Sequence, residues 1–279
     1  MRHPFNYIVA LVFWDTGHST SSSGRRFRRQ MQDKPIDDQA IRKSLNAAYN
    51  VNGTIGALRW FQAEQNIVFS RPADDWIDII LDESTNNRGK AAGILNALMG
   101  SCCQSPQQRL YAQFAKDLLQ GLTVTAPYFK PDLVTLSLTY TAVKDVFPDL
   151  AEDIITGRHT GVDCETINPL CPTTANAPSF ESLCWKENLE NKFGIQILYD
   201  CPDFAVLDKP SGVPLTDTRT GRRTGSTSLD TALCEVGMSL SNLYGSCGFV
   251  HRLDAGTSGC LVVAKNNQAH CEWIARFFL

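Results

Sequence analysis

Residues 248–265 read GFVHRLDAGTSGCLVVAK. This stretch places a charged cluster, His251-Arg252-x-Asp254, between two short apolar runs, and a Gly/Thr/Ser turn follows the cluster. A rigid element that ends in charged side chains is a common setting for catalytic and binding residues. We therefore expect the functional site of the chain at this junction.

The two apolar runs predict strands at Gly248–Asp254 and Cys260–Ala264. Side chains at positions i and i+2 of a strand share a face, so Arg252 and Asp254 are predicted to point one way and His251 the other. A neighbouring cation favours the ionised form of a carboxylate. Taken alone, an Arg-x-Asp pair on a strand is more often a surface ion pair than a site.

A second informative segment precedes the first. Residues 198–214 read LYDCPDFAVLDKPSGVP, which predicts a short apolar strand that ends in a rigid Lys-Pro-Ser-Gly loop. Between the two segments, Ser228 or Asp230 can cap an amphipathic helix. The chain therefore alternates short strands and helices from residue 194 onward.

Together, the two segments resemble the catalytic domain of the RluA-type RNA pseudouridine synthases. The signatures of that family read approximately N-K-P-x-G and, without a gap, H-R-L-D-x-x-T-S-G followed by an apolar strand and Ala-Lys. Asp208 stands here where the family usually has Asn, and Cys260 where it favours Leu. The resemblance covers roughly residues 194–279, under a third of the chain.

The resemblance implies isomerisation of uridine to pseudouridine in RNA. This reaction breaks a C–N glycosidic bond and re-attaches the turned base through carbon without a redox step, so we expect neither a cofactor nor a metal. It needs a carboxylate that acts as nucleophile or base on a uridine swung out of its stack. The resemblance assigns the catalytic role to Asp254, substrate contacts to Arg252, Thr257, Ser258 and Lys209, and structural support to His251, Pro210, Gly212, Gly256 and Gly259. Lys209 has a second interpretation, in which it supports the site structurally and does not contact the substrate.

The family domain continues past the point where this sequence stops. Its later part supplies a Tyr that stacks on the target base and a basic residue that pairs with the catalytic Asp, whereas this sequence ends on Phe277-Phe278-Leu279. We therefore expect an incomplete domain, either a fragment, a truncated gene model or a degenerate copy, with reduced activity. The alternative function is that of an RNA-binding or adaptor protein that carries an inactive synthase remnant.

Residues 36–156 are predicted to be mainly helical, with a break at Asn52-Gly53. Residues 46–61 resemble a helical hairpin of the pentatricopeptide repeat type, although a plain helical domain explains the pattern equally well. The spacing of the similar segments is uneven, which argues against recognition of one RNA base per repeat. The segment Val134–Tyr140 is ambiguous between strand and helix, and Pro148 is predicted to open a helix at 149–155.

These patterns predict an α+β chain in which an all-α helical-hairpin region precedes an incomplete mixed-sheet domain. Its parts are a disordered or targeting segment (1–33), a helical, repeat-like domain (36–156), a linker rich in Gly, Pro, Thr and Asn (157–193) and a truncated catalytic domain (194–279). The first part is rich in Ser and Arg, which is typical of an organelle transit segment and equally of a basic tail. The expected location is thus intracellular, either in a plastid or mitochondrion or in the cytoplasm.

Composition limits the class of partner. The hydrophobic and charged fractions, 43% and 20%, are typical of a globular protein, and the net charge of −3 excludes a polycation. RNA, whether ribosomal, transfer or messenger, would therefore be held by local basic patches, and neither DNA nor a membrane is an expected partner. The pair Arg222-Arg223 is interpreted as a solvated pair on a loop, although a loop that faces RNA would use the same residues. The ten cysteines are interpreted as reduced, with a zinc site at Cys164 and Cys171 as a minor alternative. The oligomeric state is left open.

Overall fold

The helical region of the chain precedes a small sheet. The computed structural model describes residues 38–104, 108–158, 184–216 and 227–279. The predicted targeting segment, most of the predicted linker, the alternative zinc ligands Cys164 and Cys171, and the pair Arg222-Arg223 lie outside these residues.

Between residues 38 and 158 the described chain is helical. The helices are α1 (Asp38–Ala63), α2 (Gln65–Val68), α3 (Ala73–Asn86), α4 (Arg88–Cys103), α5 (Gln108–Thr125), α6 (Leu133–Val143) and α7 (Pro148–Ile155). The break predicted at Asn52-Gly53 is confirmed, because Gly53 has φ 56° and ψ −141°, a conformation open to glycine and strained for other residues. Helix α3 was not predicted, although Trp76, Ile77 and Ile80 carry its helical spacing and are buried.

Two local signals decide how α6 and α7 begin. The carboxylate of Asp132 accepts a 2.8 Å hydrogen bond from the backbone N–H of Thr135, so the ambiguous segment that follows is a capped helix. Pro148 occupies the first turn of α7, as predicted.

The C-terminal part combines helices with three antiparallel strands. The elements are α8 (Cys184–Phe193), β1 (Gln196–Asp200), β2 (Phe204–Lys209), α9 (Leu229–Glu235), β3 (Gly259–Ala264) and α10 (Asn267–Phe278). In the sheet order β1-β2-β3, Phe204 pairs with Ala264 and Lys209 with Gly259. The α+β class is confirmed, and the described strands are all antiparallel rather than mixed.

The prediction of a strand at Gly248–Asp254 is wrong, because the structure has no strand there. Only Phe249 forms a bridge, to Val263, because Cys247 and Gly248 have φ 52° and 74° and turn the chain away from the sheet edge. Beyond the bridge, the backbone N–H of Val262 donates to Nε2 of His251 at 3.0 Å. A side chain thus takes the position that the carbonyl of a paired strand would occupy, and the segment stays an irregular loop.

Alternating side chains of the sheet enter two different clusters. Ala205, Leu207, Leu261 and Val263 pack with α8 and α9, whereas Phe204, Val206 and Val262 pack with Trp273 and Ile274 of α10. The opposite side of α10 belongs to the core of the helical region through Cys271 and Ala275. Helix α10 therefore joins the sheet to the helical region.

None of the helices in the described ranges is long and apolar enough to cross a membrane.

Candidate active site

Lys209 is the residue at which the two informative segments meet. It ends β2 opposite Gly259, and its side chain is fully buried. Its ammonium donates hydrogen bonds to four backbone carbonyls, those of Pro210 (3.1 Å), Asp254 (3.2 Å), Ala255 (3.3 Å) and Thr257 (2.7 Å). Because carbonyl oxygens solvate the charge, a buried lysine is tolerated here without a carboxylate in direct contact.

Two further hydrogen bonds connect the same loops, and a third lies within the second loop. The backbone N–H of Gly212 donates to the carbonyl of Ala255 at 2.8 Å, and the hydroxyl of Ser211 donates to the carbonyl of Gly256 at 2.8 Å. Within the second loop, Thr257 N–H donates to the carbonyl of Asp254 at 2.9 Å. The Lys-Pro-Ser-Gly loop and the loop of residues 254–257 therefore form one rigid frame, here called the Lys209 frame.

Burial lowers the pKa of Lys209, and the negative charge of Asp254 opposes this shift. An ammonium has three hydrogens, so at least one of them is shared between two of the four carbonyls and none is left for a ligand. This geometry favours the buttress interpretation of Lys209 over a direct substrate contact.

Asp254 projects from the Lys209 frame into solvent. Its side chain is 79% exposed, that of Arg252 is 86% exposed, and Arg252 Nη2 lies 3.4 Å from Asp254 Oδ1. The expected juxtaposition of these two side chains is present although the strand that was to produce it is absent. An ion pair this exposed contributes little to folding stability, so both groups are available to a ligand.

His251 is fixed by its surroundings. Its Nε2 accepts a hydrogen bond from Val262 N–H, and its ring lies 4.5 Å from that of Phe277. Burial lowers the pKa of His251, and an acceptor nitrogen must be unprotonated. The geometry therefore supports a structural role, as expected from the sequence.

The remaining site residues lie on the frame or beside it. Thr257 and Ser258 are exposed, and Pro210 is half-buried. Gly212 and Gly259 have φ 92° and 142°, which favours glycine, whereas Gly256 has open space around its missing side chain and no positive φ. The backbone conformation therefore favours glycine at Gly212 and Gly259 but not at Gly256.

The other ends of the two segments are also joined. Lys265 forms an ion pair with Asp200 and donates to the carbonyl of Cys201 at 2.7 Å, while Lys186 contacts Asp200 at 2.7 Å. Burial opposes ionisation of Asp200, but the two lysines hold its pKa below the usual value. The family-like Ala-Lys end of the second segment is thus a structural anchor.

A groove of about 640 Å³ runs beside Asp254. Apolar side chains form most of its lining, and Arg252, Asp254 and His251 are its titratable residues among those described. One wall comes from Leu133 and Val134 at the start of α6, a contribution that the sequence did not predict. The sequence identifies these two residues as apolar, but it does not show that they pack beside residues 250–255, more than a hundred positions away.

The described residues contain no group of three or more His, Cys, Asp or Glu side chains that could hold a metal ion.

Comparison with known proteins agrees with the geometry. Residues 203–276 match the family model for RNA pseudouridylate synthase. An uncharacterized RNA pseudouridine synthase of Aquifex aeolicus is 39% identical over 85 residues, which make up 30% of this chain and 26% of the relative. For YlyB, an uncharacterized RNA pseudouridine synthase of Bacillus subtilis, the identity is 35% over 106 residues, with 37% of this chain and 33% of the relative covered.

A third similar protein is the ribosomal large subunit pseudouridine synthase D of Pseudomonas aeruginosa, 34% identical over 90 residues, or 32% of this chain and 27% of that protein. No solved structure matches the chain. The chain spans 26% to 33% of the length of these three relatives. The two segments that meet at Lys209 both fall within or next to the matched region, and residues 203–276 are similar to the RluA-type RNA pseudouridine synthases.

Proposed function

We propose that the chain takes part in the isomerisation of uridine to pseudouridine in RNA, with Asp254 as the carboxylate that acts on the nucleotide. The observation that carries this proposal is the position of Asp254, an exposed carboxylate that lines a groove and stands on a frame held by seven hydrogen bonds. Preorganisation of this kind is what a nucleophile or base needs, because the backbone does not have to be ordered during the reaction.

The reaction needs little else from the protein. The bond between N1 of uracil and C1′ of ribose breaks, a bond between C5 and C1′ forms, and the hydrogen on C5 is replaced by one on N1, so electrons and atoms balance without a co-reactant. Asp254 acts either as the nucleophile or as the base in this sequence. Arg252, beside it and exposed, holds a phosphate or occupies the space that the swung-out uridine leaves.

Thr257 and Ser258 complete the proposed substrate contacts, since both hydroxyls lie exposed on the turn that follows Asp254. Lys209 is a positioning residue in this proposal, because it contacts the carbonyl of Asp254 and not the nucleotide. His251, Pro210, Gly212 and Gly259 support the loop.

The experiment measures tritium release from RNA labelled with [5-³H]uridine, using ribosomal, transfer and messenger transcripts. Formation of the C5–C1′ bond displaces the tritium. We expect release by the wild-type chain and a loss of at least about 100-fold for Asp254→Asn, which keeps the size of an exposed side chain and should fold normally. Asp208→Asn is the matched control, since Asp208 is also exposed and lies on β2 next to Lys209.

Two results would count against the proposal. Full activity of Asp254→Asn would remove the catalytic role from this residue. Binding of RNA by the wild-type chain without tritium release from any transcript would favour the alternative, an RNA-binding or adaptor protein with an inactive remnant.

A further inference from the structure

The first turn of α6 brings the helical region to the groove beside Asp254. Leu133 and Val134 are half-buried and line the groove together with residues 250–255. The same two side chains pack against the cluster formed by Val250, Trp273 and other residues between the sheet and α10. The helical region is thus in direct contact with the segment that carries Asp254.

A polar network, buried at Thr135 and Asn96 and exposed at Asp132, holds this turn in place. Asp132 caps α6, the hydroxyl of Thr135 donates to the side-chain carbonyl of Asn96 at 2.5 Å, and the amide of Asn96 donates to Asp132 at 3.2 Å. Thr135 is fully buried and Asn96 is 7% exposed. The hydrogen bonds of the buried Asn96 and Thr135 side chains specify one arrangement, so α4 fixes where Leu133 and Val134 lie.

The chemistry of the groove indicates its occupant. Leu133, Val134 and Ile274 are apolar, and Pro214 and Leu215 add further apolar lining. Arg252 and Asp254 are the charged residues of the lining. A swung-out pyrimidine is flat and has apolar faces, whereas its ribose and phosphate carry the polar groups that an arginine and a carboxylate contact. A volume of about 640 Å³ lies within the range of pockets that bind small ligands, ~300–1,000 Å³.

We propose that Leu133 and Val134 form the apolar wall against which the target pyrimidine packs, so that the helical region is a part of the substrate site. This inference rests on the proposed function, because the occupant is the uridine on which Asp254 acts. It assigns the helical region contact with one base, without a repeat-by-repeat code along the RNA.

The experiment compares two fluorescein-labelled probes, a decauridylate and a decamer of the same ribose-phosphate backbone without bases. Val134→Asn places a neutral polar group in the wall, and Val124→Asn is the matched control, because Val124 is 81% exposed and does not line the groove. We expect Val134→Asn to weaken decauridylate binding about 10-fold, while binding of the abasic strand and the Val124→Asn control change less than about twofold.

Several outcomes would overturn the inference. Unchanged decauridylate affinity in Val134→Asn would show that the wall does not touch the base, and tritium release that still depends on Asp254 would leave the proposed function intact. Equal weakening for both probes would place the contact on the backbone. Equal binding of both probes by the wild-type chain would mean that no base is held.

A crosslinking measurement on the wild-type chain keeps the inference falsifiable if Val134→Asn does not fold. A decauridylate that contains 4-thiouridine is irradiated with the chain, and the modified peptides are identified by mass spectrometry. We expect modification of the peptide that carries Leu133 and Val134. Crosslinks confined to peptides outside the groove would overturn the assignment.

Discussion

The ammonium of Lys209 donates a 3.2 Å hydrogen bond to the backbone carbonyl of Asp254, 45 residues further along the chain. Three more carbonyls from the same two loops accept from the same nitrogen. The position of the proposed catalytic carboxylate thus depends on a buried cation that lies at the end of a neighbouring strand. In the proposed function, Asp254 carries out the chemistry and Lys209 holds it in place.

Lys209→Met tests this relationship. Methionine fills the buried space but donates no hydrogen bond, so the carbonyls of Pro210 and Thr257 lose their ammonium partner, and we expect a loss of about 3 kcal/mol in the free energy of unfolding. A displaced Asp254 should also lower the rate of tritium release by about 100-fold. Urea denaturation and the tritium assay measure the two effects.

The control for this change is Lys192→Met, which removes a lysine that is 56% exposed and pairs with Glu235 at the surface. We expect its stability and activity to match the wild type. Wild-type stability in Lys209→Met would mean that the carbonyls find other donors and that the frame does not depend on this cation.

Gly248 is predicted to tolerate no side chain. Its φ is 74°, and an added Cβ would lie 2.5 Å from the carbonyl oxygen of Ala264, which the sheet holds in place. We expect Gly248→Ala to lower the free energy of unfolding by about 3 kcal/mol. Gly256→Ala is the matched control and should cost less than about 1 kcal/mol, because no atom lies within 4 Å of the position that an added Cβ would take. Thermal or urea unfolding measures the free energy of unfolding of both variants. A larger loss in Gly248→Ala would show that the steric clash, and not the loss of glycine flexibility, causes the destabilisation.

His270 should make the fold sensitive to acid. Its ring is fully buried, its Nε2 lies 3.1 Å from the carbonyl of Phe249, and its Nδ1 lies 2.8 Å from the hydroxyl of Ser241. Burial lowers the pKa of His270 to about 4 from an ordinary value of 6.5, against the opposing effect of the Phe249 carbonyl. The unfolded chain therefore binds the proton at a higher pH than the folded one, so stability is fully present above pH 6.5 and falls as the pH drops toward 4.

The expected contribution of this group is roughly 3 kcal/mol across that interval. Urea unfolding of the wild type and of His270→Asn at a series of pH values between 7 and 4 measures it. We expect the variant to be less stable at pH 7 and to lose less stability on acidification. Two curves that run parallel over this range would show that His270 is not the group that titrates.

The contact between α4 and α10 offers a test of how firmly the helical region and the C-terminal part are joined. A Cβ on Gly100 would lie 2.9 Å from the ring of Phe278 and 3.3 Å from Leu58. We expect Gly100→Val to force these elements apart and to cost about 2 kcal/mol. Gly89→Val, at the exposed start of α4 where only the Asn87 side chain is within 4 Å, is the control and should change stability less. Equal effects of the two substitutions would indicate that helix propensity, and not packing, sets the cost.

Much of the local structure follows from short stretches of sequence. The apolar spacing of 94–99 and 110–119 and the first-turn proline at 148 predict helices that are present, and Asn266 caps α10 through a 2.8 Å bond from Ala269 N–H. The candidate site was predicted in the same way, because a charged cluster beside a tight turn is visible within twenty residues and resembles a family signature. These features depend on residues that are neighbours in the sequence, so they can be predicted from the sequence alone.

The remaining features depend on partners that are distant in sequence. Apolar content at 248–254 suggested a strand, yet two residues with positive φ and the side chain of His251 leave that segment a loop. Similarly, the carbonyls around Lys209 are backbone groups present at every position, so no residue pattern marks them as its partners. The wall that Leu133 and Val134 give to the groove arises only when α6 packs beside α10, since burial and contact are properties of the assembled core and not of any short window.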